Sequence, residues 1–394
     1  MLLRLARTMV VALAGALTLV ACSSPRPPAA AACGSGCPTV GAAVAQLSAT
    51  ARQLVTRPGG PPGLIVLVDR GGRVAVHSFG TSEVGRSTPI AADDHLRLAS
   101  VSKAYSGATA LSLVAAGRLH LTDTVGRWVP GMPAAWNGVT LAQLLQHTSG
   151  IPDFSQTPAF GAAVQGSLLD PPPPAQLLSY AFPEPMTLTP PGSGYHYSNS
   201  DNELVALMVE ATTGTTYEQQ LAQRVLVPLG LGATSLPSGA DLPAPYAHGY
   251  DTTGGGAPED VTNLFAAGWS WASGGVVATP SDADRFIRGY ARGATTSTAV
   301  HAAQFRFRPG SSEPAGPGTN DAGLGIFRYT TSCGTVYGHT GNTAGYTQFA
   351  AATADGSRSV VVSVNAQITP KAAPQAFDQL RSVEGDAVCA ALTH

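Results

Sequence analysis

The sequence predicts an α+β fold, in which an antiparallel sheet is built from both chain ends and flanked by helices, with a mostly helical lobe inserted at about residues 100–264. Apolar, strand-like runs at 64–79 and 336–365 predict the sheet, and helical patterns between them predict the lobe. The 394 residues carry a net charge of −2 with 12% charged residues, which is typical of a globular protein. This balance argues against nucleic acid as a partner.

The domain is predicted to span residues 40–394 and to open with a helix and a hairpin. Residues 41–57 repeat apolar side chains at helical spacing, and two apolar runs, Leu64–Val68 and Val74–Phe79, flank a glycine-containing turn. Helices of the lobe are predicted at 101–117, 141–145, 201–213 and 218–226. In the C-terminal part of the sequence we predict three strands, at Val336–His339, Tyr346–Ala352 and Ser359–Asn365, and a closing helix at Pro374–Leu392.

Ser100 and Lys103 begin the apolar run that ends at Gly117. Residues three apart share one side of a helix, so the hydroxyl and the amine can meet. A serine hydroxyl is a weak nucleophile until a base takes its proton, and a lysine can be that base if burial lowers its pKa. The chain has two lysines, Lys103 and Lys371, and Lys103 stands among alanines, leucines and valines. We therefore predict a nucleophile and its base; a lysine that reaches out to solvent is the alternative.

Tyr197-Ser198-Asn199 is the second candidate motif, in a loop just before a predicted helix. A tyrosine hydroxyl near Lys103 can share the proton that leaves Ser100 and pass it to a leaving group. The Asn199 amide can hydrogen-bond an amide-bearing substrate. A turn with packed tyrosines is the alternative.

His339-Thr340-Gly341 is the third motif, and we place it on an edge strand, where an extended substrate can pair by backbone hydrogen bonds. Gly341 lets another backbone come close, and the Asn342 N–H is the candidate second oxyanion donor beside that of Ser100. The alternative for His339 is a buried core histidine. The similar His147-Thr148-Ser149-Gly150 lies between helices and is predicted to be a structural loop.

The N-terminus is predicted to direct export. Arg4 and Arg7 precede a short apolar run, Met9–Val20, typical of a signal peptide over residues 1–21. Leu19-Val20-Ala21-Cys22 resembles the lipobox of bacterial lipoproteins, which implies a lipid on Cys22; an ordinary secretory cleavage is the alternative. Residues 22–39 are rich in proline, alanine, serine and glycine and are predicted to be a flexible tether.

The other four cysteines form an even set, as expected in an oxidising compartment. Four cysteines allow three pairings, of which we favour Cys333–Cys389 together with Cys33–Cys37. No metal site is expected, because no histidine lies near either pair at the spacing that zinc sites use.

The three motifs, in the order SxxK, YxN and HTG, resemble those of the serine β-lactamase and penicillin-binding-protein superfamily. The resemblance runs from about Leu64 to Cys389 and includes Leu144–Phe154, Gly323–Ile326 and the Ser-Cys-Gly before the HTG strand. Within the superfamily, the chain is most similar to secreted serine D-alanyl-D-alanine carboxypeptidases and class C β-lactamase-like esterases. YSN replaces the SDN form, which argues against a class A β-lactamase. HTG replaces KTG, which favours the carboxypeptidase and esterase branch.

The resemblance implies that Ser100 forms an acyl-enzyme, that Lys103 with Tyr197 takes its proton, and that no cofactor is needed. It also implies that Trp269 lines the cleft, that an arginine near Arg328 binds a substrate carboxylate, and that Cys333 pairs with Cys389. The expected function is a D-alanyl-D-alanine carboxypeptidase acting on peptidoglycan stem peptides and acylated by penicillins. An esterase or weak β-lactamase is the alternative at the same site, and a catalytically silent binding lipoprotein is the alternative of another class. We expect a monomer, lipid-anchored at the outer face of the bacterial cytoplasmic membrane.

Overall fold

The computed structural model describes residues 39–311 and 313–393. Its strands are β1 Gly63–Arg70, β2 Val74–Gly80, β3 Leu96–Arg97, β4 Thr234–Ser235, β5 Tyr250–Asp251, β6 Glu259–Asp260, β7 Val277–Ala278, β8 Thr319–Ala322, β9 Phe327–Thr331, β10 Gly334–Thr343, β11 Tyr346–Ala352 and β12 Arg358–Val364. Its α-helices are α1 Val40–Thr56, α2 Ser102–Ala115, α3 Val125–Trp128, α4 Leu141–Leu145, α5 Pro158–Gly166, α6 Pro174–Leu177, α7 Asn199–Thr213, α8 Tyr217–Leu221, α9 Val227–Leu229, α10 Trp271–Gly274, α11 Pro280–Ala291, α12 Thr298–Gln304 and α13 Pro374–Leu392. Short 3-10 turns lie at Ala99–Val101, Ala134–Trp136, Phe154–Gln156, Leu178–Ala181 and Ala267–Trp269. A π-helical turn lies at Ala222–Leu226.

Seven strands form one sheet in the order β2-β1-β12-β11-β10-β9-β8, with every neighbouring pair antiparallel. The two chain ends meet where β1 pairs with β12, from Leu64 opposite Val364 to Arg70 opposite Arg358. The chain between β3 and β8 is mostly helical. The predicted α+β class, with a sheet built from both chain ends, is confirmed.

The strands β1, β11 and β12 are buried on both faces, and alternate side chains of β1 and β12 belong to different cores. In β1, Val66 and Val68 pack with the buried faces of α1 and α13, whereas Leu67 belongs to the core formed around α2 and α11. The strand β12 repeats the pattern, with Val362 on the first side and Val361 on the second. Because both faces carry apolar residues, the strands read as continuous apolar runs in the sequence.

A disulfide joins Cys333, in the turn between β9 and β10, to Cys389 of α13. This confirms the pairing that the sequence favoured and ties the last helix to the sheet. The signal peptide, the lipobox with Cys22, the pair Cys33 and Cys37 and all of the tether before Thr39 lie outside the described residues. Within the described residues, no helix has both the length and the apolar character needed to cross a membrane.

The structure corrects two expectations about the sheet. The strands β8 and β9 were not predicted, and they extend the sheet beyond β10. The prediction that His339-Thr340-Gly341 lies on an edge strand is therefore wrong for β10 as a whole, which lies between β9 and β11. Pairing with β9 stops at Gly338, however, while pairing with β11 continues to Thr343. The HTG segment thus has one side that β9 does not cover.

Candidate active site

Ser100 lies in the 3-10 turn Ala99–Val101, immediately before α2. Ala99 has φ of +49°, a left-handed conformation that is rare for residues with a side chain and typical of functional sites. The turn packs closely on β10, since a Cβ at Gly341 would lie 2.3 Å from the Leu98 carbonyl oxygen and 3.1 Å from the Ser100 nitrogen. A glycine at 341 therefore allows the serine to sit beside the uncovered side of the HTG segment.

Lys103 lies one turn further on, with 1% of its surface exposed. Its Nζ is 3.1 Å from Ser100 Oγ, 2.6 Å from Asn199 Oδ1 and 2.8 Å from the Ser273 carbonyl oxygen. Burial lowers the pKa of Lys103 to about 8, against the carboxyl groups of Asp153, Glu203 and Asp201, which raise it. A neutral amine has two N–H groups, so it can donate to Asn199 and Ser273 and present its lone pair to the Ser100 hydroxyl. This is the geometry of a general base.

Asn199 is held on both sides of its amide. Its Oδ1 accepts from Lys103, and its Nδ2 donates to Asp153 Oδ2 at 3.0 Å and to Ser155 Oγ at 2.9 Å. Because both N–H groups of the amide are engaged within the protein, the arrangement fixes Lys103, and a remaining lone pair of Oδ1 is left for a substrate. The sequence reasoning did not identify Asp153 or Ser155 as part of this site.

Glu203, on α7, is a second residue that the sequence reasoning missed. Its buried carboxyl accepts hydrogen bonds from the N–H groups of Ala272 and Ser273, both at 3.2 Å, at the start of α10. Burial raises the pKa of Glu203 to about 7. The carboxyl thus fixes the segment whose Ser273 carbonyl holds Lys103.

Tyr197 places its ring 5.0 Å from Lys103 Nζ. Its hydroxyl is buried without a hydrogen-bond partner among the described residues, and burial raises its pKa well above the usual value, although Ser100 opposes this. The phenol therefore stays protonated near neutral pH. It can carry a proton between Lys103 and a leaving group, but it is a poor base.

The loop at His147 lies between helices, as predicted, and the His147 ring also packs against the ring of Tyr197. The two rings are 4.5 Å apart, and His147 Nδ1 is 2.9 Å from Asp201 Oδ2. Burial, helped by the charge of Lys103, lowers the pKa of His147 well below its usual value. A neutral imidazole here supports the tyrosine ring without adding positive charge.

The residues of the HTG segment lie partly at the cleft and partly in the protein interior. Thr340, Gly341 and Asn342 line the cleft, and Asn342 Nδ2 donates to Thr347 and to the Ile368 carbonyl. His339 is 1% exposed, and its Nδ1 lies 2.5 Å from its neighbour's carbonyl oxygen, so Nδ1 carries the proton. Burial and the charge of Lys103 lower the pKa of His339 to about 3, so this histidine is neutral and brings no charge to the cleft.

Two pockets open on either side of Ser100. The first, which we call the Tyr197 pocket, has a volume of about 320 Å³ and is lined by Ser100, Tyr197, Thr340, Phe377, Arg381 and a loop at 313–315 among others. The second, the Trp269 pocket, has a volume of about 380 Å³ and is largely aromatic, with Phe154, Phe160, Phe265 and Trp269 in its wall beside Asn199. A leaving group that receives its proton through Tyr197 would lie in the Tyr197 pocket, which leaves the aromatic side for the acyl part.

The structure does not bring Arg328 to either pocket. Its guanidinium is paired with Asp321 of the neighbouring strand β8, with Nη2 2.5 Å from Oδ2, and stacks over Phe307. Side chains alternate along a strand, and it is Phe327 that packs against His339, with ring centroids 5.0 Å apart. The expectation of a carboxylate-binding arginine at or near 328 is therefore corrected: the arginine that lines the Tyr197 pocket is Arg381, on α13.

A buried lysine hydrogen-bonded to a serine, with a protonated tyrosine beside them, is the arrangement of a serine hydrolase. The family model described as Beta-lactamase matches residues 47–384, and the chain belongs to this family. Among the described residues, no group of three histidine, cysteine, aspartate or glutamate side chains is placed to hold a metal ion.

Penicillin-binding proteins and an amidohydrolase are among the proteins that this chain resembles. Penicillin-binding protein 4* of Bacillus subtilis is 30% identical over 194 residues, which cover 47% of this chain and 41% of that protein, so the chain spans less than half of this relative. The D-stereospecific amidohydrolase from Streptomyces sp. has a similar structure, with a TM-score of 0.74, 27% identity and coverage of 86% of this chain and 98% of that one. An octameric penicillin-binding protein homologue from Pyrococcus abyssi shares the fold, with a TM-score of 0.69, 22% identity and coverage of 82% and 73%.

Proposed function

We propose that this protein is a D-alanyl-D-alanine carboxypeptidase that acts through an acyl-enzyme on Ser100, and that penicillins acylate the same serine. The observation that carries the proposal is the placement of Lys103 Nζ, 3.1 Å from Ser100 Oγ and held by two acceptors that leave its lone pair for the hydroxyl. The division of the cleft into a Tyr197 pocket and a Trp269 pocket supports cleavage of a bond between two sizeable groups.

Acylation begins when Ser100 Oγ bonds to the carbonyl carbon of the penultimate residue while its proton passes to Lys103. The N–H groups of Ser100 and Asn342 hold the oxyanion that forms. The C–N bond then breaks as the proton passes from Lys103 through the Tyr197 hydroxyl to the leaving nitrogen. D-alanine departs through the Tyr197 pocket, and the acyl group stays on Ser100.

Deacylation repeats these steps with water in place of the leaving amine. Neutral Lys103 takes a proton from the attacking water, the tetrahedral oxyanion forms in the same place, and Ser100 Oγ leaves with the proton returned to it. An acyl group that blocks the approach of water would leave the acyl-enzyme intact, which is the outcome that we propose for penicillins here.

Hydrolysis of D-amino-acid amides is a second candidate. The aromatic wall of the Trp269 pocket favours a large apolar side chain in the acyl part, and the Streptomyces protein that this chain covers almost completely is named a D-stereospecific amidohydrolase. The same nucleophile in a less selective cleft can also attack simple esters and β-lactams.

Parallel assays of the protein and of Ser100→Ala separate these activities. An acetylated peptide ending in D-alanyl-D-alanine, D-phenylalaninamide, a penicillin and p-nitrophenyl acetate are offered in turn, and release of D-alanine, ammonia, opened lactam or phenol is measured. Release of D-alanine that is lost in Ser100→Ala supports the carboxypeptidase. Turnover of the amide, the lactam or the ester without D-alanine release would overturn it in favour of the corresponding activity.

We also propose that the protein is exported, anchored by a lipid on Cys22, and monomeric. The anchor is tested by expressing Cys22→Ala, which should move the protein from the membrane fraction to the medium or periplasm. Retention of the variant in the membrane would contradict the anchor. Light scattering on the purified protein tests the monomer against a larger assembly such as the octamer named for the Pyrococcus abyssi protein.

A further inference from the structure

We propose that a pocket at the opposite end of the sheet from Ser100 binds a phosphate group carried on an aliphatic alcohol. This pocket, which we call the Arg292 pocket, has a volume of about 370 Å³ and lies between α11 and the hairpin of β1 and β2. It shares no residue with the Tyr197 pocket or the Trp269 pocket. Binding here is therefore independent of the proposed hydrolase activity.

The length of the sheet separates the Arg292 pocket from the cleft. Asp69, in the pocket wall, pairs with Ser359 at one end of β12. At the other end of β12, Val364 pairs with Thr347, which lines the Tyr197 pocket. The strand between Ser359 and Val364 spans about 17 Å. A small ligand in the Arg292 pocket therefore does not reach the reacting serine.

One side of α11 and its C-cap residue carry a stripe of polar side chains into this pocket. Ser281, Arg285, Arg288 and Arg292 follow one another at spacings of four, three and four residues, which places them on the same side of the helix. A Cβ at Gly356, in the turn after β11, would lie 2.4 Å from the Arg288 carbonyl oxygen and 3.3 Å from Arg292 Cδ. The stem of Arg292 therefore packs against this turn.

The three arginines keep donors that the protein does not use. Arg285 uses only Nη1, for a backbone carbonyl and for Asp282 Oδ1, both at 2.7 Å. Arg288 uses Nε for a backbone carbonyl and Nη1 for Asp69. The guanidinium of Arg292 makes no hydrogen bond or ion pair with the described residues. A phosphate group has several acceptor oxygens and can accept from more than one guanidinium at a time.

The acidic side chains beside the arginines are buried and already hold protein donors. Asp69, Asp282 and Asp284 are at most 5% exposed, and each accepts from a backbone N–H or a hydroxyl. The side chains of Arg285 and Arg288 are 52% and 25% exposed, so a ligand meets the guanidinium groups first. Because the opposite charges nearly cancel at a distance, the pocket favours a compact anion that reaches the donors themselves.

The opposite wall of the pocket is apolar. Val74 lines the pocket and is 53% exposed, and Val76, on the same face of β2, is 45% exposed. Covering these side chains with an aliphatic group would remove apolar surface from water, which inorganic phosphate cannot do. The pocket therefore fits a phosphate ester of an aliphatic alcohol, either a soluble one or the glycerophosphate headgroup of a lipid.

Titration calorimetry with glycerol 3-phosphate tests the site directly. We expect saturable binding that is tighter than that of inorganic phosphate and that weakens about tenfold in Arg285→Gln and in Arg292→Gln, as expected for loss of charged hydrogen bonds. No binding, or unchanged binding in both variants, would overturn the proposal. Binding no tighter than that of inorganic phosphate would overturn the role of the valines. Melting temperatures report that the variants are folded.

Arg127→Gln is the matched control. Arg127 resembles Arg285 in being 60% exposed and in pairing at 2.7 Å with a buried aspartate of its own segment, Asp123, but it lies outside the Arg292 pocket. This variant should bind glycerol 3-phosphate normally. Arg381→Gln tests the arginine of the Tyr197 pocket. Loss of binding in Arg381→Gln, with binding kept in Arg285→Gln and Arg292→Gln, would place the ligand in the cleft and overturn the proposal.

Vesicles distinguish the two sources of the phosphate ester. The full chain with Cys22→Ala, which can carry no lipid on that residue, is floated with phosphatidylcholine vesicles that contain or lack phosphatidylglycerol. Flotation that requires phosphatidylglycerol and is lost when Arg292→Gln is added would assign the lipid headgroup. Binding of glycerol 3-phosphate without flotation would assign a soluble ester. Absence of both, or flotation that Arg292→Gln leaves unchanged, would count against the Arg292 pocket.

Discussion

The pKa of Lys103 makes the pH dependence of acylation a quantitative test. Burial lowers the pKa from 10.5 to about 8. At pH 7 about one lysine in ten is then neutral, compared with about 3 in 10,000 for an unshifted amine. The shift therefore raises the neutral, base-competent fraction of Lys103 about 300-fold. We therefore expect the acylation rate to rise about tenfold from pH 6 to pH 7 and to level off above about pH 8.5.

The substitution Glu203→Gln tests whether a neighbouring carboxylate sets the pKa of Lys103. Its carboxyl, with a pKa of about 7, is mostly charged at pH 8 and raises the pKa of Lys103. Removing that charge should therefore move the midpoint of the profile to lower pH, by roughly one unit. Burst-phase release of p-nitrophenol from p-nitrophenyl acetate, read at the isosbestic wavelength between pH 5.5 and 9.5, measures the acylation rate directly.

Glu210→Gln is the control, because Glu210 lies on the same helix, and its carboxyl accepts from the Tyr217 N–H without being among the groups that shift Lys103. Its midpoint should match that of the unaltered protein. A midpoint near 10 in the unaltered protein would refute the view of Lys103 as a buried base. A Glu203→Gln midpoint that stays in place or moves to higher pH would refute the electrostatic argument.

Three further predictions concern proton transfer, backbone approach and the disulfide. Tyr197→Phe should reduce hydrolysis of peptide amides by about 10²- to 10⁴-fold and affect p-nitrophenyl acetate far less, because a phenolate leaves without a proton; equal losses in steady-state assays would contradict the relay. Gly341→Ala should slow acylation and lower the free energy of unfolding by about 1–3 kcal/mol, because its Cβ would lie 2.3 Å from the Leu98 carbonyl oxygen. In urea titrations Gly232→Ala, where nothing lies within 4 Å, should not show this loss, and similar values for both would count against the close approach. Replacing Cys333 and Cys389 by serine, which opens a link over 56 residues, should lower the free energy of unfolding by about 2–5 kcal/mol and leave the activity at 25 °C intact; an unchanged melting temperature would contradict this.

Local sequence patterns predicted the main elements well. The closing helix Pro374–Leu392 has the predicted bounds, and β12, predicted at Ser359–Asn365, is found at Arg358–Val364. Such elements are long and strongly apolar on the buried side, so their period is visible without tertiary information. The contact between Ser100 and Lys103 is equally predictable from local sequence, because residues three apart lie on the same side of a helix.

The strand β9 alternates buried Phe327 and Tyr329 with Arg328, a period that the sequence does show. The strand β8 shows no such period, because polar contacts hold it. The strand β8 reads Thr-Asn-Asp-Ala, without apolar alternation; its Asn320 donates to the Pro314 carbonyl and its Asp321 pairs with Arg328. A short polar strand at the edge of a sheet has no period that distinguishes it from a loop.

Two features of the site depend on tertiary packing: which arginine lines the Tyr197 pocket, and the contact of His147 with the Tyr197 ring. Arg328 and Arg381 are both close to apolar residues in the sequence, and the position of α13 over the sheet decides which one reaches the cleft. His147 was correctly placed in a loop, but its contact with Tyr197 joins residues that are 50 positions apart. No local pattern encodes such a contact.

Covalent modification of Ser100 tests the central claim most directly. The purified protein and Ser100→Ala are incubated with a penicillin and, separately, with p-nitrophenyl acetate, and intact mass and peptide mass spectra are recorded over time. We expect an added mass equal to one acyl group, located on the peptide that contains Ser100 and absent from Ser100→Ala. No adduct with either reagent, or the same adduct on the variant, would contradict the claim that this chain works through an acyl-enzyme on Ser100.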